Sequence, residues 1–473
     1  MIASTAQRKC ERWSSNFSTL FRQQFVLSRQ SNLSYPGFHT QHLKGWTLFC
    51  GDALHTVRVL DATGAHVGFL MGLALLDGRP STGDLVLDVV ETDPKFQRAL
   101  NDQVNRMGGR FALIILGVQV QKIYCDPVCD FPVVFDPARQ IAGSSLGLIL
   151  HRPFWRNPMF NLAKILRGGR TFTLQHTADA GVFRALPNHA LNLINFQSER
   201  HWPDQSFRFN DIKTDLDEIV DQIIHRLGQN FGATVSNLPC IVPVTGGRDS
   251  RSLIACGADH LHHVSEFSAF KFHNNSAIDA VRGRDIMKML GYDFKIYGRK
   301  PISHRARAEF HLKTGYSGVR GEIAAMQAVE SYPKDRLVVR ANIMELLRAN
   351  QWRQRHIDNP FIRGHAMKRL KADVPISPFF RTFKRDYRNW RMSLPTKDLI
   401  ERPYDMGFLE HLVPNTQGPY LNGYHNNVFV NPFNDRYLIG RSMQLPVQLR
   451  YDKKIYDMIL ERTRPDLMAV PYH

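Results

Sequence analysis

Between Ile241 and Leu253 the chain reads IVPVTGGRDSRSL, and no other stretch restricts the fold as much. IVPV is a short apolar run of the kind that forms a buried parallel strand. Two glycines break it, and RSLIACG resumes as a helix that stops near Gly257. A strand that turns tightly into a helix belongs at the carboxyl edge of a parallel sheet, where such folds bind ligands. The glycines let backbone amides approach an anion, and the helix N-terminus adds the positive end of its dipole. Thr245 and Ser250 bring hydroxyls beside Gly246, Gly247 and Arg248, and Asp249 brings a carboxylate suited to a magnesium ion between phosphate oxygens. The turn reads as a phosphate site. A plain glycine turn capped by Asp249 or Ser250 is the alternative.

The flanks extend the pattern. DLDEIVDQIIHRLGQNFGATV places Leu216, Ile219, Ile223 and Leu227 at helical spacing ahead of the strand. After it, HHVSEF is a second strand. NNSAIDAVRGRDIMKMLGYDFKIYG is a helix expected to turn Ile278, Val281, Ile286 and Leu290 inward, stop at Gly291 and lead to a third strand. Strand and helix in alternation imply a doubly wound parallel sheet. From about residue 45 the texture is different: WTLFC, TVRVLD, HVGFLMGLALL and LVLDVV are short β-rich runs broken by Asp, Gly and Pro, and this sheet-rich part ends near residue 200. A chain of 473 residues also exceeds what one core organises, so two or three domains are expected.

The formal charge is +18, and residues 301–400 hold twenty Lys/Arg against nine Asp/Glu. Such an excess suits an anionic partner, nucleic acid included, although a solvated basic face explains it more simply. FRTFKRDYRNWRM, residues 380–392, is the one stretch that interleaves aromatic and basic residues; it stacks on RNA or forms a basic helix with Phe383 and Tyr387 turned inward. Six cysteines at scattered positions make no disulfide framework, and Cys125 and Cys129 lack a second pair at zinc spacing. No apolar run reaches the roughly 20 residues of a membrane span, and the opening segment lacks a secretory apolar core. The expectation is a cytoplasmic protein with no membrane partner and a loose N-terminal tail. His260, His262 and His263 have no carboxylate or Cys at ligand spacing and read as surface histidines.

With these pieces in view, the chain resembles the asparagine synthase-like family over about residues 40 to 473. TGGRDS resembles the PP-loop SGGxDS, with Thr245 in place of Ser; the spacings GxxxxGKS/T and GxGxxG are absent. Asp279-Ala280 through Leu290-Gly291 loosely follows the family's SDDxxAxxIAxxLG helix. VNPFNDRYLIGRSMQLPVQLR, Val430 to Arg450, resembles RxPFLDxRLxxxALSLPxxLR, with Asn434, Asp435 and Arg436 at its core. LPNHALNL, residues 186–193, followed by RHWP, resembles the stretch that joins the family's two domains. GGRFALIIL, IYCDPVCDFPVVFD and IAGSSLGLIL resemble its glutaminase domain.

The resemblance implies an α/β protein. A tail at 1–40 precedes a β-rich, glutaminase-like sandwich of the N-terminal-nucleophile type at 41–205. A doubly wound parallel-sheet PP-loop domain, adenine nucleotide alpha hydrolase-like and with a helical C-terminal part, follows at 206–473. It further implies that Thr245, Gly246, Gly247, Arg248, Asp249 and Ser250 bind ATP, with Asp249 as a Mg2+ ligand. A small-molecule or peptide carboxylate would then be adenylated, with release of pyrophosphate, and ammonia or an amine would displace AMP. The glutaminase needs an exposed first-position cysteine and none precedes Cys10, so the front domain is expected to be a scaffold.

Other departures bear on the synthetase half. In VVRANIMELLRANQW, Val338 to Trp352, Glu345 falls on the last acid of the family's GEGxDE motif, while Ala341 and Met344 replace the other two. Glu345 is expected to bind metal or act as a base, or else to pair with Arg348 as a helical neighbour. The family's late lysine, which meets the leaving phosphates, falls beyond RPDLMAVPYH, and Lys453 or Lys454 could substitute. These departures favour an amide or lactam bond other than that of free asparagine. A PP-loop tRNA-modifying enzyme and a catalytically silent ATP-binding homologue remain alternatives.

Overall fold

The computed structural model describes residues 3–168, 170–208, 215–272, 274–298, 300–317, 329–359, 365–370, 372 and 378–472. Its front half stacks two sheets. One has six antiparallel strands, and the other has eight strands with one parallel pair. Alternation along the strands builds the layers. Phe25, Leu27, Leu48, Phe69, Met71, Ala112 and Ile114 point into the space between the sheets. Leu70, Phe111, Leu113 and Ile115 face the other way, onto Phe96, Leu100 and Val104 of the helix Phe96–Asn105. Val26 and Phe49 pack outward against Phe17, Phe21, Leu146 and Ile149. The order of layers is helix, sheet, sheet, helix.

The expected tail at residues 1–40 is not a tail. Ser4 and Gln7 form a capping box at the start of the helix Thr5–Trp13, which buries Ala6 and Cys10. Strand Phe25–Ser28 then enters the interior of the six-stranded sheet, paired on one side with Trp46–Gly51 and on the other with Ile141–Gly143. Four successive buried residues, FVLS, make a strand with two neighbours more stable than an exposed coil. Burial also pushes the Cys10 thiol up to about 11, which disfavours its thiolate. All six cysteines are free.

The back half contains a parallel sheet of β1 (Cys240–Pro243), β2 (Glu266–Lys271), β3 (Lys295–Gly298), β4 (Leu337–Val339) and β5 (Val428–Val430). Their spatial order is β3-β2-β1-β4-β5. The chain therefore steps outward from β1 in one direction and, after β3, returns to the other side. Helices α1 (Leu216–Val235), α2 (Arg248–Cys256) and α3 (Asn274–Met289) pack on one face with Val242, Phe267 and Val339. Phe310, Tyr420 and Tyr424 cover Ile241, Val338 and Phe429 on the other. The inner strands β1 and β4 are covered on both faces, which is why CIVP and LVV are apolar without alternation, whereas the edge strand β3 is mostly exposed. Among the described residues, no helix is long and apolar enough to cross a membrane.

The expected inward face of α3 holds at Ile286 and at the partly buried Leu290, and needs correcting at Ile278 and Val281. Ile278 and Val281 are 45% and 41% exposed, and the buried residues are Ala280, Gly283, Ile286 and Met287. The helix approaches the sheet through its small residues: a Cβ on Gly283 would lie 2.2 Å from the carbonyl oxygen of Val244. Gly283→Ala is therefore expected to push α3 off β1 and to cost about 1–3 kcal/mol. A melting temperature equal to wild type would show that the helix can yield.

The two halves are joined through the NDR core of the Val430–Arg450 segment. Asn434 donates to the Gly109 oxygen at 2.7 Å and to Asp126 Oδ1 at 2.8 Å. Arg436 is almost fully buried and donates to Asn188 Oδ1 at 3.1 Å, the Val104 oxygen at 3.3 Å and the Cys125 oxygen at 2.9 Å. Asp435 stays behind, capping the helix Arg436–Gln444 and accepting from Arg226 at 2.7 Å.

Candidate functional site

The turn after β1 lies where the strand order reverses between β1 and β4. It is locked by its own hydroxyls. Ser250 Oγ accepts from the Thr245 amide at 3.0 Å, and Thr245 Oγ1 accepts from the Gly247 amide at 3.3 Å. The Gly246 amide donates to the Asp279 oxygen at 3.2 Å. The two glycines have different reasons. A Cβ on Gly246 would sit 2.8 Å from Arg282 Cβ, so packing on α3 demands glycine there. Gly247 has an ordinary φ of −72°, and a Cβ there would meet only Thr245 Oγ1, at 3.4 Å. As N-cap of α2, Gly247 offers no side chain to the helix end, which leaves the amides of the first turn open to an anion.

A crevice of about 300 Å³ opens here. Thr245, Asp249 and Ser250 line one end of it; Arg340, Ala341 and Asn342 follow β4, and aromatic rings such as Phe270, Tyr420 and Phe429 complete the wall. The size and the mostly apolar lining are those of a small-molecule pocket.

Asp249 joins the crevice to a charged cluster behind it. Its Oδ1 accepts from the Tyr456 hydroxyl, which also lies 2.6 Å from the Met344 oxygen and has one proton for the two acceptors. Its Oδ2 is 3.4 Å from Arg348 Nη2. Burial raises the Asp249 carboxyl above its ordinary range, although Arg348 and Tyr456 pull it down. Glu345 is raised as well, by burial first and then by the negative charge of Asp249. Glu345 Oε2 is buried with no hydrogen-bond partner. Two carboxyls that share a site and resist ionisation together form the most chemically tense group at this turn.

The other sequence candidates fall into place around this cluster. Glu345 does not line the crevice; it reaches the site through Asp249. It sits on the 3-10 turn Met344–Arg348, and Arg348 leans past it toward Asp249, leaving 4.0 Å between Arg348 Nη2 and Glu345 Oε1. Met344 is in the core and Ala341 lines the crevice. Arg248, expected on the phosphates, is held instead by Asp457 at 2.6 Å and by the ring of Tyr472, 3.7 Å away. Lys453 and Lys454 are exposed and line no part of the crevice.

Sequence reasoning missed Arg251, which is fully buried. It donates to the Gly246 oxygen at 3.2 Å and to the oxygens of Leu467 and Val470 at 3.0 and 2.7 Å, tying the turn to the C-terminal segment. Polarity alone gave no hint of that burial. Tyr456 was also missed, and nothing in the sequence singles it out.

His260, His262 and His263 lie on the 3-10 turn Ala258–His263. Among the described residues, no group of three or more His, Cys, Asp or Glu gathers in a way that could hold a metal. The helix Phe379–Met392 buries Phe383, Tyr387 and Trp390, so these rings are turned away from any base that would stack on them. No family model matches the chain, and no curated protein matches it.

Proposed function

We propose that the chain is an ATP-dependent ligase that adenylates a carboxylate, releasing pyrophosphate, and passes the acyl group to ammonia or an amine with release of AMP. The observation that carries this reading is the glycine turn between β1 and α2, at the reversal of strand order, with Asp249 facing the crevice. The resemblance to the asparagine synthase-like family supports it from both halves, and the helix–sheet–sheet–helix layering is compatible with a glutaminase-like front domain.

In this reading the open amides of the first turn of α2, with Thr245 and Ser250, hold the polyphosphate of ATP. Asp249 and Glu345 would hold Mg2+, which supplies positive charge against the phosphates. The residues suit a divalent cation: Glu345 Oε2 lacks a partner, and the negative charge that Asp249 places on Glu345 is what a cation relieves. Fewer than three protein ligands fit an ion that shares its remaining positions with phosphate and water. The chemistry then needs little beyond position. The substrate carboxylate attacks the α-phosphorus, pyrophosphate leaves, and the amine displaces AMP from the acyl carbon. The crevice wall holds the acid in line and keeps water from the adenylate. The front half acts as scaffold, since Cys10 is buried.

The test is release of AMP and pyrophosphate from Mg-ATP with a panel of carboxylates, aspartate included, with and without ammonium. Turnover with one class of acid is expected. A chain that binds no Mg-ATP in calorimetry would sink the reading.

A further inference from the structure

An adenylating site must meet the charge that develops on pyrophosphate as the bond from the α-phosphorus to its bridging oxygen breaks. Arg282 packs its stem toward Gly246 from α3, and four further arginines stand around the turn and its crevice. Arg248 is held by Asp457 and Tyr472, and Arg251 by backbone oxygens of the turn and the C-terminal segment. Arg340 stands 5.3 Å over the ring of Tyr420, on the wall that follows β4. Arg348 differs from all three. Its contacts with Asp249 and Glu345, 3.4 and 4.0 Å, are longer than the ~2.8 Å of a strong charge-assisted bond. Its Nε is buried with no partner, and its side chain is 36% exposed. The Tyr456 hydroxyl also meets this guanidinium, but a planar fork of five donors with its Nε unpaired, resting on the carboxylate at the phosphate turn, has the geometry to take another anion.

We propose that Arg348 is a phosphate-binding residue of this site, exchanging Asp249 for non-bridging phosphate oxygens when the polyphosphate binds. The inference rests on the ligase reading. In the step it serves, the substrate carboxylate oxygen bonds to the α-phosphorus and the bond to the bridging oxygen breaks. The electron pair departs with pyrophosphate, and Arg348 supplies charge and hydrogen bonds but no proton. The exchange also frees Asp249, so one movement readies the carboxylate and the cation together.

The experiment is calorimetric titration of wild type, Arg348→Ala and Arg348→Lys with MgCl2 alone, then with inorganic pyrophosphate in the presence of MgCl2. Arg348 competes for the Asp249 carboxylate, so Arg348→Ala is expected to bind Mg2+ alone at least as well as wild type. The same variant is expected to bind pyrophosphate about tenfold or more weakly, the scale of a lost hydrogen bond to a charged group. Added guanidinium should restore part of the loss, and Arg348→Lys should fall between. Equal losses of Mg2+ and pyrophosphate affinity would mean that Arg348 merely holds Asp249, and the proposal fails. Unchanged pyrophosphate affinity also overturns it while leaving the ligase reading intact; a wild type that binds neither pyrophosphate nor Mg-ATP removes both. Arg348→Gln carries the same comparison if the alanine variant folds poorly.

Discussion

Asp249→Asn is expected to abolish Mg2+-dependent binding of ATP, lowering the affinity by about 100-fold or more, since it removes the one carboxylate that lines the crevice among the described residues. The asparagine has the same shape and can still accept from Tyr456, so the turn should keep its form. The melting temperature should hold or rise, because burial disfavours the charge that the substitution deletes. Calorimetry with Mg-ATP beside a thermal melt checks both halves of this expectation. Full ATP affinity in a well-folded Asp249→Asn would place the nucleotide elsewhere and overturn the proposed function. Glu345→Gln separates the two acids. Glu345 does not line the crevice, so its loss should weaken Mg2+ more than it weakens ATP measured without metal.

The second large effect concerns the joint between the halves. Arg436→Ala leaves three oxygens, those of Asn188, Val104 and Cys125, without their buried donor, and it empties the volume of a side chain that is 1% exposed. Unsatisfied acceptors at 1–3 kcal/mol each and the cavity together suggest a loss of about 4 kcal/mol. Because the lost contacts all cross from the back half to the front, the melt should fall in temperature and separate into two transitions, one for each half. A single transition at the wild-type temperature would show that the halves are held by something else. The neighbouring pair of Arg200 and the fully buried Glu410, 2.6 Å apart, is the next tie across the same joint.

Much of the parallel half was legible because its signals are local. IVPV, the glycine turn and RSLIACG occupy adjacent residues, and β1 and α2 form where that pattern places them. The front sheets were legible as β-rich texture but not as pairings. Phe25–Ser28 takes its neighbours from Trp46–Gly51 and from Ile141–Gly143, more than a hundred residues on. No short-range pattern encodes that, and FVLS has no alternation because both of its faces are covered. On α3 the apolar spacing pointed to Ile278 and Val281, whereas close approach to Val244 selected the face with Ala280 and Gly283. Hydrophobic periodicity ranks residues by size of apolar surface; tight packing can prefer the smallest.

The same division holds within the site. Thr245, Gly246, Gly247, Asp249 and Ser250 announce themselves by chemistry and spacing, and the turn brings them together. Arg248 lies inside the same motif but is drawn aside by Asp457 and Tyr472, more than two hundred positions away. Arg251, Tyr456 and the lean of Arg348 toward Asp249 depend on the whole back half being assembled. Buried arginines are the residues that polarity misassigns most readily, because hydrogen bonds to carbonyl oxygens make their burial tolerable and leave no mark in the sequence.

The hold of Arg251 on the Val470 oxygen spans 219 positions, and that separation orders events during synthesis. A ribosome delivers the turn long before the segment that fastens it. The front sheets and β1 can pack while Arg251 still lacks its acceptors, so a newly made chain is expected to hold a formed scaffold before its glycine turn is fastened. The phosphate affinity proposed for the turn should therefore appear abruptly, only once residues 464–472 have emerged and closed over α2.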